Sequence, residues 1–370
     1  MASPSVAAPR LDALTGLRGM AAWLVVLFHT RLLLTGWLPA PILDVASYGF
    51  LAVDLFFMMS GFVMWLNYGA ALRDGGLRAA PRFWWRRVAR IWPLHAAILT
   101  AMAGFAALLL ITQRDMTGYP LAELPMHFVL VQNWGFTDAL SWNHPAWSIS
   151  TEMGAYLLFP FLVLAARWET MRPMALALLI IAAAGLLHLW FAMAGEPSLG
   201  GQIPRLGLVR CVIEFAIGVM LAVLWQVWHT GHAGHTGRTK LALLFAGVLV
   251  AGLMLTARLP STFGLPLIFA AALLALALDN GPMARALGSP ALRWLGDASY
   301  ATYLVHFPLL IAWKLAFVDG ALSLSPISFA AYCAVLLALS GGLYRWLEKP
   351  AQAALNRALP MAVKRTAKVR

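Results

Sequence analysis

The sequence predicts an all-α, polytopic bundle of transmembrane helices. Of the 370 residues, 61% are hydrophobic and only 11% are charged, whereas soluble domains carry about 25% charged residues. About ten apolar stretches are each long enough to cross a bilayer. The Lys and Arg residues between them fall mostly on one side of the membrane when the chain is threaded through it. These observations leave little room for a soluble domain.

Short loops separate most of the predicted spans. The exception is the segment 112–146, which lies between the third and fourth spans and has an amphipathic piece at 124–134. A tight hairpin around Arg258 joins the seventh span to the eighth. The ten predicted spans cover residues 12–34, 48–67, 88–111, 147–166, 173–194, 207–228, 240–258, 262–279, 298–317 and 327–347.

The distribution of positive charge predicts that both termini are cytoplasmic. With the N-terminus inside, the cytoplasmic segments receive twenty of the 27 Lys and Arg residues, and Arg210 is among the few on the opposite side. We therefore expect a membrane domain over 1–350 and a basic cytoplasmic tail over 351–370 that is disordered or lies on anionic lipid. The N-terminus does not read as a cleavable signal peptide, because Arg18 interrupts its apolar run.

The composition argues against several other classes of protein. The net charge of +12 does not indicate nucleic-acid binding, because the basic residues lie between apolar segments and are not clustered on one amphipathic domain. Cys211 and Cys333 lie in apolar runs, so they predict no disulfide framework. His229, His232 and His235 share a Gly-rich loop without a nearby carboxylate or thiol, and we predict no metal site there.

The first predicted span carries two ionisable residues, Arg18 and His29. They are eleven residues apart, which is about three helical turns, so they share one stripe and lie about 16 Å apart along the axis. Ionisable groups in membrane helices usually face a bundle interior or a wet cavity. Asp54 in the second span is expected to pair with Arg18, since sequential helices pack side by side. Alternatively, Arg18 reaches the headgroups and His29 is a packing residue.

An arginine cluster precedes the third predicted span. Arg87 and Arg90 are three residues apart and share a helix face, with Arg86 beside them. Guanidinium groups bind phosphate bidentately, so the cluster suits a polyphosphate held at the cytoplasmic surface. Ordinary positive-inside charge in contact with lipid headgroups is the alternative. Pro93 is expected to kink this helix or mark its start.

The fourth predicted span begins with a polar group, Ser148, Ser150 and Glu152. Hydroxyls and carboxylates are favoured at helix N-termini, so one interpretation is an N-terminal cap. In the other interpretation Glu152 partners His29 at the same depth in the membrane. A carboxylate that orients an imidazole and stabilises its protonated form makes the imidazole a better base.

The ninth predicted span carries a loose polar stripe formed by Tyr300, Tyr303 and His306. Pro308 just beyond them frees a backbone carbonyl, which His306 or a tyrosine is expected to use. A hydrogen-bonded packing role is the alternative for His306.

Taken together, these stretches resemble acyltransferase family 3, a family of integral membrane proteins. The matches span nearly the whole chain, and their combination is specific. His95 departs from the family pattern, which commonly has a tyrosine there. The resemblance rests on Arg18-x10-His29, GFLAVDLFFMMSGFV at 49–63, F-x3-R-x2-R-I-x-P from Phe83 to Pro93, WSIS-x-E at Trp147–Glu152, LG-x2-SY-x2-YL-x-H-x-P at 295–308, and Glu348-Lys-Pro.

The resemblance implies acyl transfer, usually of acetyl from acetyl-CoA, to a hydroxyl of a glycan or another acceptor. By the same resemblance, His29 is the base, Arg18 is its essential partner, and the arginine pair faces the CoA phosphates. The expected site comprises the catalytic residues His29, Arg18 and Glu152, the acyl-CoA contacts Arg87, Arg90 and Arg86, and the lining residues Asp54, Ser150, Tyr300 and His306.

These implications define the expected partners. Acyl-CoA is expected as a substrate, with no bound cofactor, together with a glycan or other hydroxyl acceptor, membrane lipid and no nucleic acid. The Ala/Leu/Arg-rich composition suits the inner membrane of a bacterium, and self-association into a homo-oligomer is left open. Two alternatives remain: a transporter of an anionic solute or acylated precursor, although the sequence has no inverted repeat, and an enzyme that acylates a small cytoplasmic metabolite.

Overall fold

The computed structural model describes residues 11–231, 236–256, 258–317 and 323–359, and these are almost entirely helical, with no β-strand among them. Their helices are α1 Asp12–Thr30, α2 Ala40–Ser47, α3 Ala52–Gly75, α4 Ala80–Ile111, α5 Leu124–Phe128, α6 Ala146–Leu164, α7 Pro173–Met193, α8 Ile203–Gly231, α9 Thr236–Leu255, α10 Ser261–Ala277, α11 Pro282–Leu287, α12 Pro290–Asp297, α13 Ser299–Phe317, α14 Pro326–Leu343 and α15 Lys349–Arg357.

Each predicted span overlaps one helix, so the all-helical fold with several apolar helices of membrane-spanning length is confirmed. Among the described residues, seven helical stretches are long and apolar enough to cross a bilayer, and one of them, Ala40–Ile111, contains both α3 and α4. Helices α9 and α10 are apolar but shorter. The count of ten spans and the cytoplasmic placement of the termini stay predictions.

Helix α4 and the C-terminal region differ from the sequence expectation. Helix α4 begins eight residues earlier than predicted, because Pro81 fits the first helical turn, and Pro93 therefore lies inside the helix and does not mark its start. The first residues of the expected tail, 351–357, are not disordered but belong to helix α15, while a position on lipid stays a prediction. The indole Nε1 of Trp85 on α4 donates to the carbonyl of Leu355 on α15 at 2.9 Å. The histidines of 229–235 lie outside the described side chains.

Helices α3 and α8 pack with their backbones almost in contact. A Cβ added at Gly61 would lie 1.9 Å from the carbonyl oxygen of Phe215, and one added at Gly218 would lie 1.9 Å from that of Met58. Small residues at such crossings are the usual way in which membrane helices approach closely. The two glycines therefore fix the distance between α3 and α8.

A buried ion pair joins the same two helices. The guanidinium of Arg210 donates to both carboxylate oxygens of Asp54, at 2.7 and 2.5 Å, and to the carbonyl of Leu199 at 2.6 Å. Asp54 is fully buried and Arg210 is 1% exposed. The predicted pairing of Asp54 with Arg18 is therefore wrong, because α3 packs mainly on α8. Arg210, assigned above to the outer surface, lies inside the bundle.

We predict that Asp54→Ala lowers the free energy of unfolding by about 3–5 kcal/mol, because it removes the carboxylate that accepts two hydrogen bonds from the buried Arg210 guanidinium. Glu214, 4.0 Å from Nε of Arg210, is then the carboxylate that remains beside this charge. The matched control is Asp12→Ala, which breaks the half-exposed Asp12–Arg293 pair and is expected to cost less than about 1 kcal/mol. Unfolding of the purified proteins in detergent gives both values. Equal losses of unfolding free energy in the two variants would contradict the assignment of Asp54 as a stabilising partner of Arg210.

Candidate active site

A cavity of about 550 Å³ lies between α1, α3, α4, α6 and α13. Five of the expected site residues line it, namely Arg18, Arg87, Arg90, Glu152 and Tyr300. They come from four different helices, so the fold assembles a charged site that no single segment contains. We call this space the donor cavity, after the acyl donor that the sequence analysis predicts. Its apolar lining includes Leu14, Phe56, Val63, Met64 and Ile91.

Arg18 is held at the cavity wall by a backbone carbonyl. Its Nε and Nη2 atoms donate to the carbonyl oxygen of Gly296 at 3.1 and 2.7 Å. Helix α1 can come this close to the end of α12 because Gly296 has no side chain. A Cβ at this position would lie only 1.8 Å from the carbonyl oxygen of Thr15. A guanidinium has five N–H donors, so these two bonds leave others for a ligand.

Arg87 and Arg90 share one face of α4, as predicted, but their surroundings differ. Arg87 donates to the hydroxyl of Tyr68 at 2.7 Å, and its Nε is buried with no hydrogen-bond partner. Arg90 forms an ion pair with Glu348. Since Glu348 neutralises Arg90, Arg87 is the better placed of the two for an added anion. Arg86 does not line the donor cavity.

Glu152 lies on the cavity wall bound to neighbouring hydroxyls. The phenol of Tyr156, one turn along α6, donates to its Oε1 at 2.5 Å, and the hydroxyl of Ser60 lies 2.9 Å from that phenol oxygen. Glu152 therefore does not orient His29. The four-residue spacing of Glu152 and Tyr156 is the sequence signal for this pair, since it places both side chains on one face of α6.

The N-terminal cap predicted for α6 is absent from this helix. It begins at Ala146, after Pro145, with no side-chain cap. Ser148 instead lies 2.8 Å from the hydroxyl of Tyr303 on α13. Ser150 donates to the carbonyl of Leu130 at 2.9 Å, so it fixes the loop before α6 and does not line the donor cavity.

His29 and His306 form an imidazole pair next to the donor cavity. Nδ1 of His29 lies 3.2 Å from Nε2 of His306. His306 is completely buried. Tyr303 connects the pair to the cavity, since it lines the cavity and its carbonyl lies 2.7 Å from Nδ1 of His306. The expected carboxylate partner of His29 is therefore replaced by a second imidazole.

The hydrogen bonds of this pair fix which nitrogens carry hydrogen. The carbonyl of Tyr303 can only accept, so Nδ1 of His306 is the donor and its Nε2 carries the lone pair. Nδ1 of His29 faces that lone pair and also the carbonyl of Val25, at 2.9 Å. The single N–H hydrogen of the neutral His29 ring therefore lies on Nδ1. This leaves Nε2 of His29 as the basic nitrogen.

Two prolines inside the site helices free carbonyls that side chains then use. Pro308 cannot bond the carbonyl of Leu304, which accepts from the amide of Asn143 at 2.9 Å. The sequence predicts that His306 or a tyrosine uses this carbonyl, and Asn143 does so instead. Pro160 likewise frees the carbonyl of Tyr156, which accepts from the indole of Trp84 at 3.1 Å.

The comparisons with known proteins find acyltransferases. A family model described as an acyltransferase domain matches residues 11–345. Acyltransferase MdmB from Streptomyces mycarofaciens is 30% identical over 95% of this chain and 94% of its own length. Peptidoglycan O-acetyltransferase OatA from Listeria monocytogenes is 23% identical over 81% of this chain, which spans about half of that relative. No solved structure matches the chain.

We predict that a cysteine in the donor cavity is accessible to water. Met59 lines the cavity although it is only 4% exposed, whereas Met102 on α4 is equally buried but away from the cavity. A small, charged methanethiosulfonate reagent should modify Met59→Cys at least about tenfold faster than Met102→Cys, because charged reagents react from water. Mass spectrometry of the labelled proteins gives the rates. Similar rates would contradict an open cavity.

Proposed function

Since the chain belongs to acyltransferase family 3, whose model covers residues 11–345, we propose that it transfers an acyl group from acyl-CoA to a hydroxyl of a glycan. Acetyl is the proposed acyl group. The relatives named above are bacterial, and we place the protein in the cytoplasmic membrane of a bacterium. The observation that carries the proposal is the meeting of Arg18, Arg87 and Glu152 in one cavity beside the His29–His306 pair.

The donor is assigned from the chemistry of the cavity wall. Arg87 and Arg90 would bind the CoA phosphates, since guanidinium groups suit phosphate oxygens. The apolar surface around Val63 and Met64 would cover the pantetheine arm. The two ends of the cavity therefore match the two ends of an acyl-CoA molecule, with the thioester toward Tyr303.

In the proposed reaction, Nε2 of His29 takes the proton of the acceptor hydroxyl as its oxygen attacks the thioester carbonyl. A C–O bond forms, the C–S bond breaks, and CoA leaves as the thiolate, which takes the proton from His29. Arg18 lies about three helical turns from His29, so it would contact the acyl donor, and a backbone N–H beside His29 stabilises the negative charge that develops on the carbonyl oxygen. The thioester must reach past Tyr303 to meet His29. His306 is a positioning residue, since it holds His29 through Nδ1.

Purified protein in detergent should consume radiolabelled acetyl-CoA. His29→Ala should lower turnover by about 10²–10⁴-fold while it still binds CoA, since general base catalysis contributes that much. Arg87→Ala, which leaves the Arg90–Glu348 pair in place, should bind CoA about ten- to a hundredfold more weakly, because a hydrogen bond to a charged group contributes about 1.5–3 kcal/mol. Arg86→Ala, from the same helix but outside the cavity, is the control. Full activity in His29→Ala would refute the proposal.

The role of His306 has its own test. His306→Gln keeps an acceptor for Nδ1 of His29 and should retain more of kcat than His306→Leu, which we expect to lose about ten- to a hundredfold. Because His306 does not line the donor cavity, KM for acyl-CoA should be unchanged in both. A purely structural role would lower the amount of folded protein in proportion to activity, with no rescue by glutamine.

A further inference from the structure

The donor cavity has two chemically different ends along α3. At one end the hydroxyl of Tyr68 accepts a hydrogen bond from Arg87 at 2.7 Å. At the other end Phe56 lines the cavity, and its ring centroid is 5.9 Å from that of Tyr303. Phe56 and Tyr68 are twelve residues apart, which is about 18 Å along the helix axis. An extended pantetheine arm covers a distance of this size, so a CoA with its phosphates at Arg87 would have its thioester beside Phe56 and Tyr303.

Two aromatic rings separate the thioester end of the cavity from the imidazole pair. The ring of Tyr303 contacts both Phe56 and His306, and the centroids are 5.9 Å apart in each case. His306 in turn lies against His29, whose Nε2 is the proposed base. The acyl group of the donor therefore has to pass the contact between Phe56 and Tyr303 before it meets the acceptor hydroxyl. We call these two rings the aromatic wall.

Tyr303 is the fixed half of the aromatic wall. Its hydroxyl oxygen lies 2.8 Å from the hydroxyl oxygen of Ser148 and 3.0 Å from the carbonyl oxygen of Pro145. The residue is only 7% exposed, so no bulk water is at hand to replace these partners. The ring cannot swing aside without breaking both contacts, and leaving buried polar groups unpaired is unfavourable. Any opening in the wall must therefore come from the other ring.

Phe56 is the movable half of the aromatic wall. Its side chain is partly exposed to the cavity that it lines, whereas the neighbouring Phe57 is 1% exposed and packs on the ring of Trp147, with centroids 5.9 Å apart. The benzyl group of Phe56 has no polar atom, so no hydrogen bond fixes its position. The size of the side chain at position 56 therefore sets the room that an acyl group has beside Tyr303.

We propose that Phe56 selects the acyl group of the donor, because it leaves room for acetyl beside Tyr303 and excludes longer acyl chains. This inference rests on the proposed function and names its donor class, a short-chain acyl-CoA. Protein interiors are closely packed, so a methylene group without space of its own is unfavourable. One methylene group more or less in an apolar pocket changes discrimination by about 10–200-fold. A single aromatic side chain is therefore sufficient for the selection.

The test compares two donors that differ only in the acyl chain. Purified protein in detergent receives acetyl-CoA or butyryl-CoA, and release of the free CoA thiol gives kcat/KM for each donor. The butyryl-to-acetyl ratio of kcat/KM does not depend on the folded fraction, because both donors meet the same preparation. In the wild type this ratio should lie below about one tenth. Phe56→Ala should raise it at least about tenfold, because the variant removes the ring beside Tyr303.

Leu66→Ala is the matched control on the same helix. Leu66 also lines the donor cavity, but it is ten residues from Phe56, or about 15 Å along the axis. The two donors are identical at that end of the cavity, so the ratio in Leu66→Ala should stay within about twofold of the wild type. Phe56→Leu keeps an apolar side chain of intermediate size. It should raise the ratio less than Phe56→Ala, and it serves as the test where the alanine variant does not fold.

Each result decides the proposal. A raised ratio in the Phe56 variants, with an unchanged ratio in Leu66→Ala, supports it. A wild type that consumes butyryl-CoA as fast as acetyl-CoA overturns it while the proposed function stands, and so do folded Phe56 variants with an unchanged ratio. An equal rise in Leu66→Ala also overturns it, because the selection is then not located at the aromatic wall. A wild type that consumes neither donor refutes the proposed function, and this inference falls with it.

Discussion

The interior of a membrane bundle has no bulk water, so every polar group in it must find its partner within the protein. This constraint accounts for most of the polar contacts described here. The carbonyl freed by Pro308 accepts from Asn143, and the charge of Arg210 is matched by Asp54. At the donor cavity, which we predict to be open to water, the rule holds in part: Arg90 lies against Glu348, whereas Nε of Arg87 has no partner. The site is therefore part of the packing of the bundle, and its charges also hold helices together.

Local patterns in the sequence predicted the features that depend on local geometry. Apolar length predicted the long helices, and the three-residue spacing of Arg87 and Arg90 predicted their shared face, because helical geometry fixes both. Partners distant in sequence were not predictable in this way. Asp54 contacts Arg210, which is 156 positions away in the sequence. The rule that sequential helices pack together predicted Arg18 as the partner of Asp54. That rule failed because the sequence does not show which glycines let α3 approach α8.

In the active site, too, local spacing predicted some features, whereas contacts between distant residues were not predictable. Arg18, Glu152 and Tyr300 were each identified as polar residues in apolar segments, and they do line one cavity. The partner of His29 was expected to be a carboxylate, since an acid–imidazole pair is the commoner arrangement. The structure instead has an imidazole that can only accept at Nε2, because its Nδ1 is bound to a carbonyl. Hydrogen-bond direction of this kind depends on three-dimensional contacts that spacing cannot reveal.

The ion pair between Arg90 and Glu348 has a consequence for biosynthesis. The two residues are 258 positions apart, and Arg18 is 278 positions from the carbonyl that holds it. A ribosome makes roughly 5–20 residues per second, so the early helices enter the membrane many seconds before their partners exist. During that interval the arginines of the first helices depend on lipid headgroups or the insertion machinery for counter-charges. The donor cavity can close only when the last helices arrive, which makes it one of the final features of the nascent chain to form.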